Sequence, residues 1–275
     1  MATLSIAIVT YQPDLRLLTH CLDSLYAAYS YAKRKELLSA AKLYLIDNST
    51  DKKILDKLAG LVHDIWLPPS DSTPVIATLS NLGFGLAHNL AINETSTDYH
   101  LVLNPDVILE ENALHHAIRF MEQHPHVALL TPSTVNEQGK KEYLNKRYPG
   151  ILTLLVRGFA PDLLKNRFLK KIAYYEMRDL DQDKASYEIP LASGCFMFFR
   201  TSMLKKTKGF SEKFFLYFED YDLSIRTHEH GRIAYAPDVQ IMHFGGGAAK
   251  KGLKHIFLFI RSAIIFFHLH GWRLW

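Results

Sequence analysis

Residues 4–25, LSIAIVTYQPDLRLLTHCLDSL, decide the fold class. Leu4 to Val9 is an apolar run rich in β-branched residues. Pro13 ends it, and Leu15, Leu18, Leu22 and Leu25 then recur at helical spacing. A short buried run followed by a 3.6-residue period reads as strand, loop and amphipathic helix. The unit recurs downstream. Leu43 to Ile46 forms a strand ending in Asp47, the turn NSTD follows, and a helix is expected over Lys52 to Leu58. After Pro68 to Pro74 come a short strand at Val75 to Leu79, the loop NLGFG, and a helix from Leu86 to about Asn93. Tyr99 to Leu103 is a strand stopped by Asn104 and Pro105. Strands alternating with helices predict a parallel sheet in an α/β fold.

Beyond residue 110 the rhythm loosens. A helix is expected near Asn112 to Gln123, with strands at Val127 to Leu130, Cys195 to Phe199, Ile233 to Tyr235 and Val239 to Met242 around a basic middle. The reading is one domain over 1–245, with a nucleotide half to about 110 and an acceptor half over 111–245. A basic-aromatic helical segment over 246–275 follows it.

The 275 residues are 48% hydrophobic and 22% charged, with a formal charge of +4 from 32 basic and 28 acidic side chains. That composition is globular and excludes small stapled scaffolds and disordered tails. Cys21 and Cys195 lie far apart and form no CxxC pair. Structural zinc and thioredoxin-like chemistry are set aside, and a reducing cytoplasm is expected. The start, MATLSIAIVTYQPD, lacks the features of a signal peptide. Ile256 to Ile260 and Ala263 to Phe267 are apolar, but Arg261 and Ser262 divide them, so no membrane-spanning helix is expected.

Charge placement says more than net charge. After Asp238 there is no acidic residue, while Lys250, Lys251, Lys254, Arg261 and Arg273 are interleaved with Phe257, Phe259, Phe266, Phe267, Trp272 and Trp275. That composition suits a membrane surface. The plainer reading is a solvated face beside a packed aromatic helix. From Lys140 to Arg178 ten basic residues face three acids. Nucleic acid is not expected as a partner, since no RNP, zinc-finger or basic-zipper pattern occurs.

Open α/β sheets bind ligands at the carboxyl ends of their parallel strands. Four polar clusters fall there: Thr10 with Tyr11, Asp47 with Asn48, Asn81 with Gly83, and Asn104 with Asp106. A carboxylate accepts hydrogen bonds from a ribose or base and an aromatic stacks on a base, so four clusters in succession point to a nucleotide. The segment GFGLAH begins like a dinucleotide fingerprint but fails at His88, where a third small residue is required.

Asn104-Pro105-Asp106 places an amide oxygen and a carboxylate on one loop, ligands suited to a hard divalent cation, and is equally good turn chemistry. Glu219, Asp220 and Asp222 crowd three carboxylates into four positions, a repulsion that a cation, a donor or a proton must relieve. A helix from about Asp220 aligns Asp222 with Arg226, making Asp222 scaffold and leaving Glu219 and Asp220 nearer the cleft. His243 follows a strand-like stretch and precedes Gly245 to Gly247. It reads as a packed histidine or as a metal ligand beside a flexible lid.

In order, IVTYQPD, LIDNSTD, NLGFGLAHN, LVLNPDV, SGCFMFFR, FEDYDLSIR and the later histidine resemble family 2 glycosyltransferases of the GT-A fold, rhamnosyltransferase-like members in particular. The resemblance implies a Rossmann-like nucleotide half with a mixed central sheet. It also implies inverting sugar transfer from a nucleoside diphosphate donor. By motif, Thr10, Tyr11, Asp47, Asn81, Gly83 and Asn104 would hold the nucleotide sugar, Asp106 and His243 a Mg²⁺ or Mn²⁺ ion, and Asp220 would be the base. Asn104 stands where many relatives carry the first acid of a DxD motif. RSAIIFFHLHGW resembles the tail of bacterial rhamnosyltransferases, implying a peripheral enzyme on the inner face of the cytoplasmic membrane. Its acceptor would be a glycan or a saccharide on polyprenyl diphosphate. The donor expected is a dTDP-sugar, with a UDP-hexose or UDP-furanose as runner-up. Two other classes fit some residues: a metal-dependent phosphodiesterase using Asp106, Asp220 and His243, and a non-catalytic glycan-binding subunit.

Overall fold

In the computed structural model, which describes residues 1–66, 75–78, 80–245 and 252–275, nine strands form one mixed sheet. Its order is β3-β2-β1-β4-β8-β6-β9-β5, with β7 attached to β6. Strands β1 (Ala2–Thr10), β2 (Leu38–Asp47), β3 (Val75–Ala77) and β4 (Tyr99–Leu103) run parallel to one another. The opening run is buried on both sides. Leu4, Ile6 and Ile8 pack with helix α1 (Leu15–Arg34), while Ala7 and Val9 meet Ala87 and Ala91 of α3 (Phe84–Glu94). Two covered faces explain an apolar run without alternation. Asp14 caps α1 by accepting from the amides of Arg16 and Leu17, which fixes the turn after Pro13.

Helices α2 (Lys52–Ile65) and α4 (Ala113–Gln123) complete the parallel half, and His88 lies buried between Phe84 and Phe210. Strand β8 (Phe196–Arg200) runs antiparallel to β4, with Leu103 opposite Phe196. The chain leaving β4 therefore touches the chain entering β8.

The second half differs from the sequence reading in several places. The expected strands at Ile233 to Tyr235 and Val239 to Met242 are one strand, β9 (Arg232–His243), whose pairing with β6 (Val127–Val135) slips between Pro132 and Ser133. Pro237 and Asp238 lie in that irregularity, which broke the apolar pattern. Short β5 (Val107–Leu109) and β7 (Lys141–Glu142) carried no periodic signal. The basic middle folds as α5 (Ile151–Phe159), α6 (Asp162–Arg167) and α7 (Leu169–Tyr175), followed after β8 by α8 (Thr201–Lys206) and α9 (Glu219–Thr227).

Arg261 and Ser262 do not divide the C-terminal runs. Leu253–His270 is one helix, α10, long and apolar enough by length and composition alone to cross a membrane. Arginine is a good helix former, and the Ser262 hydroxyl donates to the Leu216 carbonyl at 2.7 Å, so neither breaks the helix. Phe266 and Phe267 bury one face against Leu154, Tyr175, Phe214 and Phe218. Leu79 and the expected lid glycines Gly246 and Gly247 lie outside the described residues.

Candidate active site

The parallel strand ends line up along one edge of the sheet. Thr10 and Asp47 are buried side by side, the Thr10 hydroxyl donating to Asp47 Oδ1 at 2.9 Å and the Ser49 hydroxyl to the same oxygen at 2.7 Å. Among the described residues Asp47 Oδ2 has no hydrogen-bond partner. Tyr11, 52% exposed, stands at the rim. Asn48 ties the next loop in, donating from Nδ2 to the Gly83 carbonyl at 3.0 Å and accepting at Oδ1 from Thr78.

Asn81 serves the turn itself, with Oδ1 accepting from the Gly83 amide at 2.9 Å. Gly83 has φ +81°, and a Cβ there would collide with the Phe215 carbonyl, which accepts the Phe84 amide. Only glycine combines that backbone with that approach. Gly83→Ala is expected to destabilise the fold by about 1–3 kcal/mol, read as a lower urea midpoint with an unchanged slope.

Asp106 and His243 meet because β5 pairs with β9, placing Val107 opposite His243 and the Phe244 amide on the Asp106 carbonyl. His243 Nε2 lies 3.7 Å from Asp106 Oδ1, a buried oxygen without a hydrogen-bond partner. On its other side, His243 Nδ1 lies 3.1 Å from Glu142 Oε2. A carboxylate only accepts, so Nδ1 carries a proton and donates to Glu142, which turns Nε2 toward Asp106. A carboxylate behind an imidazole is the usual support of a metal-ligating histidine. A Cβ at Gly245 would collide with His243 Nε2 and lie 2.7 Å from Asp106 Oδ2, so the glycine keeps space open at these two side chains. An orphaned carboxylate oxygen, an oriented ring nitrogen and that space fit a divalent cation. Among the described residues no three His, Cys, Asp or Glu side chains are arranged to hold a metal ion together. The two would supply only part of a coordination shell, as usual where phosphate oxygens supply the rest.

Asp220 sits in the first turn of α9, just after Tyr217 and Phe218, both in the left-handed region at φ +71° and +66°. Such conformations cost on the order of 1 kcal/mol or more each for aromatic residues and cluster at functional sites. Here they turn Phe218 into the core beside Phe259 and Phe266. Both Asp220 oxygens are used, Oδ2 accepting from the Gly194 amide and Oδ1 from the Tyr221 amide, each at 2.9 Å. Glu219 lies buried beside it with Oε2 unpartnered. Burial pushes both carboxyls above the usual range, and the Asp220 charge pushes Glu219 further. Of the two, Glu219 holds its proton more tightly, because Asp220 has the amide donors that favour its ionised form.

Asp222 is scaffold, as its spacing predicts. Arg226 pairs with its Oδ2 at 2.7 Å, and His270 of α10 reaches its Oδ1 at 2.9 Å.

The segment Ser193-Gly194-Cys195 joins the two acidic centres. Its Cys195 carbonyl accepts the Asn104 amide at 2.9 Å, and its Gly194 amide holds Asp220. The Cys195 thiol is pushed up to about 12 by burial, with Asp106, Glu142 and Asp220 all adding to the rise. Cys21 is raised to about 12 in the same way, so neither cysteine is a nucleophile at neutral pH.

Three residues escaped the sequence reading. Glu142 and His270 carried no local signal, since each acts across more than 40 residues. Lys146 is buried, its ammonium pushed down to about 8 by burial, and its charge pulls the Asp220 carboxyl back down.

A family model described as "Glycosyltransferase like family 2" matches residues 2–256. The chain belongs to this family. Among curated proteins, this chain is 26% identical over 172 residues to rhamnosyltransferase WbbL of Escherichia coli K12, covering 59% of this chain and 61% of that protein. It is 23% identical over 215 residues to the N-acetylglucosaminyl-diphospho-decaprenol L-rhamnosyltransferase of Mycobacterium tuberculosis, covering 72% of this chain and 69% of that protein. Its fold is GT-A. The mannosyltransferase PcManGT of Pyrobaculum calidifontis, solved with GDP-Man and Mn²⁺, superposes with a TM-score of 0.61 at 14% identity over 95% of this chain and 64% of that one. TarS 1-349 of S. aureus gives 0.56 at 18% identity, over 88% of this chain and 60% of that one. The chain thus spans about three fifths of the length of WbbL and of TarS 1-349.

Proposed function

We propose that this glycosyltransferase moves L-rhamnose from dTDP-rhamnose, with inversion, onto a glycan or a saccharide carried on polyprenyl diphosphate. The setting is the cytoplasmic face of the membrane during bacterial surface polysaccharide synthesis. The observation that carries the reading is the bridge through Gly194 and Cys195, which brings the Asp220 carboxylate and the Asp106 loop to one short segment. The two rhamnosyltransferase relatives support the sugar, and the lipid-linked acceptor named for the M. tuberculosis protein supports the acceptor class.

Asp220 takes the proton from the attacking acceptor hydroxyl. As the oxygen–carbon bond forms, the bond from the anomeric carbon to the phosphate oxygen breaks and the nucleoside diphosphate departs. A sugar hydroxyl is a poor nucleophile, and a carboxylate of raised pKa is a stronger base for it. Thr10, Tyr11, Asp47, Asn81 and Gly83 form the nucleotide end, Tyr11 offering a ring face and Asp47 its Oδ2. Asp106 and His243 would hold Mg²⁺ or Mn²⁺, with Glu142 fixing the ring and Asn104 adding an amide oxygen. That cation would neutralise charge on the leaving diphosphate.

Thermal shift with dTDP-, UDP-, GDP- and ADP-sugars, with and without Mn²⁺, tests the reading, since a ligand at a hundredfold its Kd adds about 2.7 kcal/mol of stability. dTDP-rhamnose with Mn²⁺ is expected to give the largest rise. A larger rise with a UDP-sugar would replace the donor, and no rise with any nucleotide would reject the proposal. Glu142→Gln is expected to weaken Mn²⁺ binding about 10–100-fold in the same assay.

A further inference from the structure

We propose that the outward faces of α10 and of the α5–α7 segment form a docking surface for an anionic lipid bilayer. Leu253, Phe257, Ile260 and Ile264 recur at intervals of four, three and four residues and so make one stripe along α10. All four are exposed, Leu253 at 86% and Phe257 at 66%. The opposite stripe, with Phe259, Ser262 and Phe266, faces the domain. Lys254, Arg261 and His268, exposed and seven residues apart, form a basic row about 100° or less around from the apolar stripe. Apolar stripe, flanking basic row and opposite docked face are the geometry of a helix lying in a membrane interface.

The sequence reading took residues 140–178 as a basic stretch without assigning it a place. Its helices adjoin α10 through the C-terminal tail. The Ile151 and Leu152 amides donate to the Arg273 and Leu274 carbonyls, and Phe168 stacks on Trp275 at 5.1 Å. Leu163 and Leu169 are exposed there, beside exposed Arg167, Lys170 and Lys171. Residues 151–175 contain five basic residues and one acid, and residues 239–275 contain no acid. That charge selects an anionic lipid surface over a second copy of this basic chain. Tethers to the domain, Ser262 to Leu216 and His270 to Asp222, hold α10 along the protein rather than across a bilayer.

The position matters for the reaction, and this part rests on the lipid-linked acceptor proposed above. Tyr221, next to Asp220, packs on Phe266 of α10, so the candidate base stands one residue from the membrane helix. A diphosphate at the headgroup level would thus present its sugar near Asp220.

Flotation of the full chain with phosphatidylcholine vesicles, with and without phosphatidylglycerol, tests the surface. The chain is expected to float with the anionic vesicles and to be released by high salt. Phe257→Ser with Ile264→Ser, and separately Leu163→Ser with Leu169→Ser, are each expected to weaken partitioning about tenfold or more. Donor-induced thermal shift serves as the folding control. A chain that binds donor but stays unfloated would overturn the docking surface and spare the glycosyltransferase reading, whereas flotation without donor binding would do the reverse. A dimer in sedimentation that the same substitutions dissociate, without flotation, would assign the face to a second copy and overturn the proposal. Flotation that survives both double substitutions, or that resists high salt, would also overturn it.

Discussion

Asp220→Asn is expected to slow sugar transfer by about 10²–10⁴-fold while leaving donor-induced stabilisation intact. The amide keeps the volume of the carboxylate and retains one oxygen for the Gly194 or Tyr221 amide, so the α9 turn should persist. What it loses is the capacity to take a proton. Near-normal turnover in this variant would remove Asp220 from the role of base and leave the bridge through Gly194 as a structural device.

The pH profile supplies an independent check on the same residue. Burial raises the Asp220 carboxyl above its ordinary range. Transfer should therefore fall as pH drops through that raised value, at a higher pH than an exposed aspartate would give. Glu219→Gln keeps a neutral side chain beside Asp220 and should leave this limb nearly unmoved, since burial rather than the Glu219 charge raises the Asp220 carboxyl. Stability follows with a defined sign. A carboxyl whose folded pKa lies above its unfolded value stabilises the fold while protonated, and that stability is lost as pH rises from the unfolded pKa through the folded one. Glu219→Gln should therefore raise the melting temperature relative to the parent chain at alkaline pH and leave it nearly unchanged at acid pH. A melting difference that grew on acidification would contradict the proton's placement on Glu219.

Asp106→Ala is expected to reduce transfer on the order of 10²–10³-fold and to abolish the Mn²⁺-dependent part of donor binding. The substitution removes the carboxylate whose Oδ1 is buried without a partner, so the fold loses no hydrogen bond there. Transfer that continued at full rate in both Asp106→Ala and Asp220→Asn would remove this site from the chemistry, whereas a glycan-binding subunit would show no transfer even in the parent chain.

The N-terminal half was legible because its signals are local. A buried parallel strand is a continuous apolar run, a helix repeats every 3.6 residues, and turns need glycine, proline or asparagine, so β1, α1, β2 and β4 emerge from short windows. The pairing of Asp222 with Arg226 was equally open to reading, since four residues on a helix make one turn. The helical character of the tail was legible, whereas its unbroken apolar length was not, because Arg261 and Ser262 interrupt the run of apolar residues without interrupting the helix.

By itself the sequence determined the α/β rhythm, the order of polar clusters at strand ends, the acidic crowd in the first turn of α9 and the basic-aromatic character of the tail. Tertiary structure alone decided that Glu142 orients His243, that His270 ties the tail to Asp222, and that Gly194 and Cys195 link Asp220 to the Asp106 loop. Those contacts join residues 26 to 101 positions apart, or run between strands whose pairing no local pattern encodes. Distance along the chain leaves no periodicity to read, and only the folded sheet, with its strand order and register, brings such groups within hydrogen-bond reach.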